Sequence, residues 1–217
     1  FASAACGRAR PPPLAPPAPA AAPRPPPAPP LPVHDAAELA AAVYNTSAVA
    51  ITLVGAGPFR FTRALERGTG CCGMTALLIE RDLLIQAAPG AHAVIDAGAS
   101  AEEPRRTVHV RTGASLVLLR ITLTGGYLGL WGGGCAWIEP QGTLGLEESH
   151  VRGCVVNRTD AVNAFGGGVF NEANGHLTMR DSSITECIAT HSGAGPATGG
   201  GLLNQGVAEL FASTIEE

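Results

Sequence analysis

The sequence predicts an all-β solenoid, a stack of similar coils, and three observations carry that prediction. A pattern recurs near the C-terminal end: Gly132-Gly133-Gly134, Gly166-Gly167-Gly168 and Gly199-Gly200-Gly201 each open a copy, 33 or 34 residues apart. A period of that size marks repeats that bury their apolar faces only against their neighbours. Apolar residues alternate within the copies, so that Leu116-x-Leu118 aligns with Leu144-x-Leu146, Leu177-x-Met179 and Ala208-x-Leu210, and Leu123 with Val151, Ile184 and Ile215. Alternation at period two is what half-buried strands require. Finally, 46% of the 217 residues are apolar but only 5% are aromatic, and 28 are glycine. Thin coils of Leu, Val, Ile and Ala joined by glycine turns suit that composition better than a bulky globular core does.

Residues 1–32 are a Pro/Ala-rich segment with a few Arg, read as a disordered, polyproline II-like linker that has no periodic apolar residues with which to build a core. From Val33 the pattern changes. Asp35 with Glu38 three residues on forms a capping box, and the run to Val43 reads as one short amphipathic helix. Such a helix is placed to cover the end of a stack, whose bare edge would otherwise invite pairing. Strands are expected at 49–54 and 59–61, then a Gly-rich loop over 64–76, then coils over 77–97 and 107–126. Stacking of about five coils at the strand spacing gives a height of roughly 24 Å.

All 14 basic residues are Arg, so lysine chemistry is excluded, and a net charge of -4 offers no electrostatic case for nucleic acid. The six cysteines lack a Cys-x-x-Cys pair, which argues against structural zinc. No stretch of about 18 apolar residues occurs, so no membrane span is expected in these residues. The chain opens without Met and stops inside a repeat. The expectation is of a chain truncated at both ends, with room for a signal peptide or a membrane anchor beyond either one.

The helical lid, the run Leu83-Leu84-Ile85 through Val94-Ile95-Asp96-Ala97-Gly98, and the run from Ser115 to Gly126 resemble the right-handed parallel β-helix, or pectate-lyase-like, superfamily over residues 33–217. The copies Gly166-Gly167-Gly168-Val169-Phe170-Asn171 and Gly199-Gly200-Gly201-Leu202-Leu203-Asn204 are similar to repeats of polymorphic outer membrane proteins, although the Phe-x-x-Asn tetrapeptide of those repeats is not reproduced. The resemblance implies a right-handed coil. It spans lyases, hydrolases, epimerases and non-catalytic surface proteins, so it fixes no activity.

Placing the copies in register predicts ladders. Asn171 stacks on Asn204, closing turns through side-chain hydrogen bonds, with Trp137 in the same place one coil earlier. Cys154 stacks on Cys187, either as a buried thiol ladder or as a cross-coil disulfide. Cys135, aligned with Val169 and Leu202, reads as core filler. Arg120, Glu148 and Asp181 form a third ladder, beside Thr122, His150 and Ser183, and with His150 they make a candidate acid/base cluster. Two stacked carboxylates about 5 Å apart would suit a retaining glycosidase, whereas Arg120 offsetting Glu148 makes a plain charge ladder.

Enzyme signatures of the superfamily are mostly missing. There is no Asp-Asp pair among the five Asp, and Glu102-Glu103-Pro104-Arg105-Arg106 does not fit a lyase-type arginine segment. Leu202 follows the last glycine triplet where a calcium-binding nonapeptide needs Asp. No cofactor is expected; calcium would enter only with an enzymatic role. Segments 155–165 and 188–198 leave successive coils at one place, where a solenoid's binding face often lies. Asn45-Thr46-Ser47 and Asn157-Arg158-Thr159 are glycosylation acceptor triplets. The expectation is a non-catalytic surface or secreted protein that binds carbohydrate or a protein partner. A polysaccharide lyase or glycoside hydrolase, with its site mostly in coils beyond Glu217, is the alternative.

Overall fold

The computed structural model describes residues 29–45, 47–55, 57–63, 66–67, 74–129, 132–159, 163–192 and 195–216. Cys6, Cys71, Cys72 and residues 1–28 of the Pro/Ala-rich segment lie outside them. The described chain winds into a right-handed parallel β-helix of about five turns, in the hand that twisted strands impose on parallel crossovers.

Each turn runs across three faces. The first face is a seven-stranded sheet, Leu31–Val33, Ala50–Leu53, Leu83–Ala87, Ser115–Leu119, Thr143–Glu147, His176–Arg180 and Val207–Phe211. Leu31 and Pro32 thus belong to the folded unit, and Pro32 sits on an edge strand, where its missing N–H is tolerated. The second face holds Phe59–Arg60, Ala93–Asp96, Ile121–Thr124, His150–Arg152, Ser183–Thr185 and Thr214–Ile215. The third holds Met74–Ile79, Arg106–Val110, Ala136–Ile138, Val169–Asn171 and Leu202–Asn204, with Glu66–Arg67 added antiparallel at its edge.

The core is what the alternation dictates. Ile51, Ile85, Leu116, Leu118, Leu144, Leu146 and Leu177 line the first face; Ile95, Leu123, Val151 and Ile184 line the second; and all are at most 1% exposed. Burying each such side chain contributes about 1.5–3 kcal/mol. Helix α1, Ala36–Tyr44, closes the N-terminal end. Asp35 Oδ1 accepts from the Glu38 N–H at 2.8 Å, and Glu38 accepts in return from the His34 N–H at 2.7 Å, completing the capping box. Leu39, Ala40, Ala42 and Val43 enter the core.

The segments 155–165 and 188–198 are not plain loops. Val155–Arg158 and Ile188–His191 extend a small parallel sheet begun by Tyr127–Leu128, and Ala164–Phe165 pairs with Ala197–Thr198. Leu128, Val156 and Ala164 make a second, minor core, so the later coils carry a side lobe.

The glycine triplets require a correction of register. Ala136 pairs with Val169 and Val169 with Leu202, so Gly133, Gly166 and Gly199 are equivalent and the period is a uniform 33. Matching all three triplets glycine for glycine slips the first by one residue, which exchanges inward and outward positions. Cys135 therefore stacks on Gly168, not on Val169, and Trp137 stacks on Phe170, while Ile138 precedes Asn171. The glycines lie where the lobe joins the main coil. A side chain at Gly134 would strike the Gly167 carbonyl, and one at Gly167 would strike the backbones of Ile188 and Gly200.

Candidate functional site

The ladder of Arg120, Glu148 and Asp181 lies at the corner between the first and second faces. Each residue turns the chain alone, with φ of 56°, 47° and 49°, and Ala212 continues the series at 47°. A left-handed backbone at a non-glycine residue is a cost accepted for the sharp bend. Glu148 and Asp181 are exposed, and Arg120 donates to the Ala87 carbonyl at 3.3 Å. Among the described residues no ion pair joins Arg120 to Glu148, so the offset expected between them gives way to a backbone contact.

Serines behind this corner hold it together. Ser149 Oγ accepts from the Ile121 N–H at 3.0 Å and lies 2.7 Å from the Glu147 carbonyl oxygen. Ser182 Oγ accepts from the Ser149 N–H at 3.1 Å, and Ser213 Oγ from the Ser182 N–H at 3.2 Å. Sequence reasoning missed this ladder, although Glu148-Ser149, Asp181-Ser182 and Ala212-Ser213 repeat it in plain view.

His150 stands on the second face in an open groove of about 590 Å³, with Thr122, Arg152, Ser183, Thr185 and Glu186. His150 Nδ1 lies 2.9 Å from the Ser183 hydroxyl, and His92 Nε2 lies 2.9 Å from the Thr122 hydroxyl. The two imidazoles stack with centroids 5.3 Å apart. Burial lowers the pKa of His92, and the neighbouring His150 and Arg120 lower it further, against Glu148. Arg152 grips Glu186 through two hydrogen bonds of 2.7 and 2.9 Å, which hold the Glu186 carboxyl below its ordinary range. The groove thus presents hydroxyls, the His150 imidazole, a guanidinium paired with Glu186 and the Glu216 carboxylate.

The remaining sequence-predicted positions are structural or peripheral. Asn171 is fully buried and donates to Asn204 Oδ1 at 2.6 Å and to the Val207 carbonyl at 3.0 Å. Cys154 stacks in register above Cys187 but is bonded to Cys135, with Cα atoms 5.6 Å apart; Cys187 is a buried free thiol. Cys135 is therefore one end of a covalent staple between coils and not inert filler. At the acceptor triplets, Asn45 Oδ1 accepts from the Ser47 N–H and hydroxyl at 3.1 and 2.8 Å, and Asn157 Nδ2 donates to the Tyr127 hydroxyl at 3.2 Å.

A second polar cluster, which sequence reasoning missed, lies on the outer side of the third face. The N–H groups of Thr107 and Val108 both donate to the Cys135 carbonyl, at 3.1 and 2.8 Å, a β-bulge beside which the Arg106 guanidinium lies 4.5 Å over the Trp137 ring. His109 Nε2 lies 2.9 Å from Glu139 Oε1. Burial drives the His109 pKa down to about 3, with Arg106 adding to the fall and Glu139 opposing it. Burial alone would raise Glu139, but two donors from Thr112, each at 2.9 Å, together with His109 and Arg111, hold it below the ordinary carboxylate range. Glu172, the equivalent of Glu139 one coil on, moves the other way: burial and Glu139 raise its pKa against the Trp137 indole and Arg106.

Among the described residues no three His, Cys, Asp or Glu side chains gather as a metal-holding group, and no helix is long and apolar enough to cross a membrane. The fold and these surfaces define a parallel β-solenoid. No family model, curated protein or solved structure matches the chain.

Proposed function

We propose that this chain is a non-catalytic binding solenoid of the pectate-lyase-like kind, displayed outside the cell or at its surface, and that the second-face groove takes a carbohydrate. One observation carries the reading: Thr122, His150 and Ser183 rise one per coil along an open groove, flanked by Arg152 and Thr185. A polysaccharide offers hydroxyls at regular intervals along its length, and a ladder of side-chain donors and acceptors at the coil spacing suits it. The Cys135–Cys154 disulfide supports an oxidising, extracytoplasmic setting. The test is affinity electrophoresis of the protein through a panel of neutral and acidic polysaccharides. Retardation by at least one, weakened about tenfold by His150→Ala with Arg152→Ala, supports the reading. Equal retardation of wild type and double variant, or none anywhere, overturns it.

A polysaccharide hydrolase or lyase is the second reading, and the third face favours it. Glu139 and Glu172 sit one coil apart beside Trp137, and their surroundings push their proton affinities in opposite directions. Split carboxyls of that kind assign base and acid roles in glycosidases. A degradation assay with calcium present compares wild type with Glu172→Gln, Glu148→Gln and Asp181→Asn. Activity lost only in Glu172→Gln would move the function to the third face.

A further inference from the structure

Three cysteines meet where the side lobe joins the main coil. Cys135 precedes the third-face strand Ala136–Ile138, and Cys154 lies between the second face and the lobe. Cys187 lies directly beneath Cys154, since Val155 and Ile188 are register partners and the Ile188 N–H donates to the Cys154 carbonyl at 2.8 Å. Register partners on adjacent parallel strands are about 4.8 Å apart, inside the Cα range that a disulfide spans. Cys187 also occupies the place that Cys154 holds one coil earlier. The residue facing it is Gly168, the equivalent of Cys135, and a Cβ there would stand 2.9 Å from Cys187 Sγ. Among the described residues Cys187 therefore has no cysteine opposite it, and its cysteine neighbour there is the bonded Cys154 above. It borders an open groove of about 520 Å³ with Glu186, Ile188, Ala197 and Gly199, through which small reagents approach.

We infer that Cys154 is a shared sulfur, and that the staple exists in two isomers that interconvert by internal thiol–disulfide exchange. Cys187 loses its proton to solvent base, and its thiolate attacks Cys154 Sγ. The Cys154–Cys187 bond forms as the Cys135–Cys154 bond breaks, and Cys135 leaves as a thiolate that takes a proton from water. One disulfide is present before and after, so no oxidant or reductant is consumed. In the first isomer the staple sits at the junction of the side lobe and the main coil; in the second it runs along the stack and ties two of the three lobe-bearing coils to each other. Burial raises the Cys187 pKa, so the exchange accelerates as pH rises.

Peptide mapping of the full oxidised protein tests this. Samples held at about pH 6 and about pH 9.5, on either side of the ordinary thiol pKa of about 8.5, are quenched with acid, alkylated and digested with trypsin without reduction. Cleavage after Arg120, Arg152, Arg158 and Arg180 places the three cysteines on separate peptides. The expected result at the higher pH is a Cys154–Cys187 cross-link, with alkylation of Cys135 appearing in step with its loss at Cys187. Cys187→Ser is expected to retain only the Cys135–Cys154 link, and Cys135→Ser to hold Cys154–Cys187 throughout. A single Cys135–Cys154 link with alkylation confined to Cys187 at both pH values overturns the inference, as does Cys187 cross-linked to Cys6, Cys71 or Cys72.

Discussion

The imidazole of His109 lies nearly parallel to the indole of Trp137, with ring centroids 4.3 Å apart and planes 6° from coplanar. Burial favours the neutral ring and the nearby Arg106 charge adds to it, which is why its pKa falls to about 3. In the unfolded chain the same group takes a proton near pH 6.5, so the unfolded state binds more protons from there down to about pH 3. Stability is then lost as pH falls, at about 1.4 kcal/mol per pH unit, or about 2 kcal/mol between pH 6.5 and 5. The lowered pKa of His92 adds in the same sense over its own range, as does that of Glu139 below the ordinary carboxylate value. Glu172, raised in the fold, works in the opposite sense and loses stability as pH rises. Urea denaturation at several pH values should show this slope in the wild type and about one proton less in His109→Phe; matching slopes would refute it.

Ser149 should be the costliest serine to remove. It is fully buried, and its hydroxyl is the hydrogen-bond acceptor for the Ile121 N–H at the corner. Leaving that donor unsatisfied costs about 1–3 kcal/mol, so Ser149→Ala should lower the urea midpoint clearly. Ser213→Ala, at the half-buried edge of the same ladder, should change stability by less than about 0.5 kcal/mol. Equal effects would show that the ladder is not what holds the corner.

At Asp181 the backbone matters more than the carboxylate. With φ at 49°, Asp181→Gly should be neutral or stabilising, by up to about 1 kcal/mol. Asp181→Val places a β-branched side chain in the left-handed region and should cost about 1–2 kcal/mol or more. Thermal unfolding of the two variants checks the order; a destabilised glycine variant would restore a role for the carboxylate.

Gly167 has no room for a side chain. A Cβ there meets the backbones of Ile188 and Gly200, neither of which can yield without parting two coils. Gly167→Ala should destabilise by about 1–3 kcal/mol, as overpacking does, whereas Gly113→Ala carries only the cost of its left-handed turn, because it has open space around it. Circular dichroism melts of the pair would reverse this account if Gly113→Ala proved the worse.

How much of this was legible in the sequence depended on the kind of signal. Leu116, Leu144 and Leu177 announced the first face because one side of each strand is buried, and burial writes itself into alternation. The capping box of Asp35 and Glu38 was readable because both partners are local. Matching the glycine triplets by residue type slips the first copy by one, because residue type carries no record of inward and outward parity. His109 and Trp137 carried no signal: they point away from the core, and the bulge at Thr107 and Val108 shifts the parity that would have placed them together. The corner ladder is legible as a repeat, but a sequence shows the carboxyls of Glu148 and Asp181 and not the left-handed backbone angle at those positions.

The side lobe begins at Tyr127 and recurs at Val155 and Ile188, while the first-face register runs past it without a break. Circumference and height are therefore separate variables in this molecule. The stretch from Thr124 to Ala136 is shorter than the one from Arg152 to Val169, yet the coils that carry them stay in register on the first face. That freedom gives the chain a place to acquire new recognition surfaces at little cost to the structure that carries them.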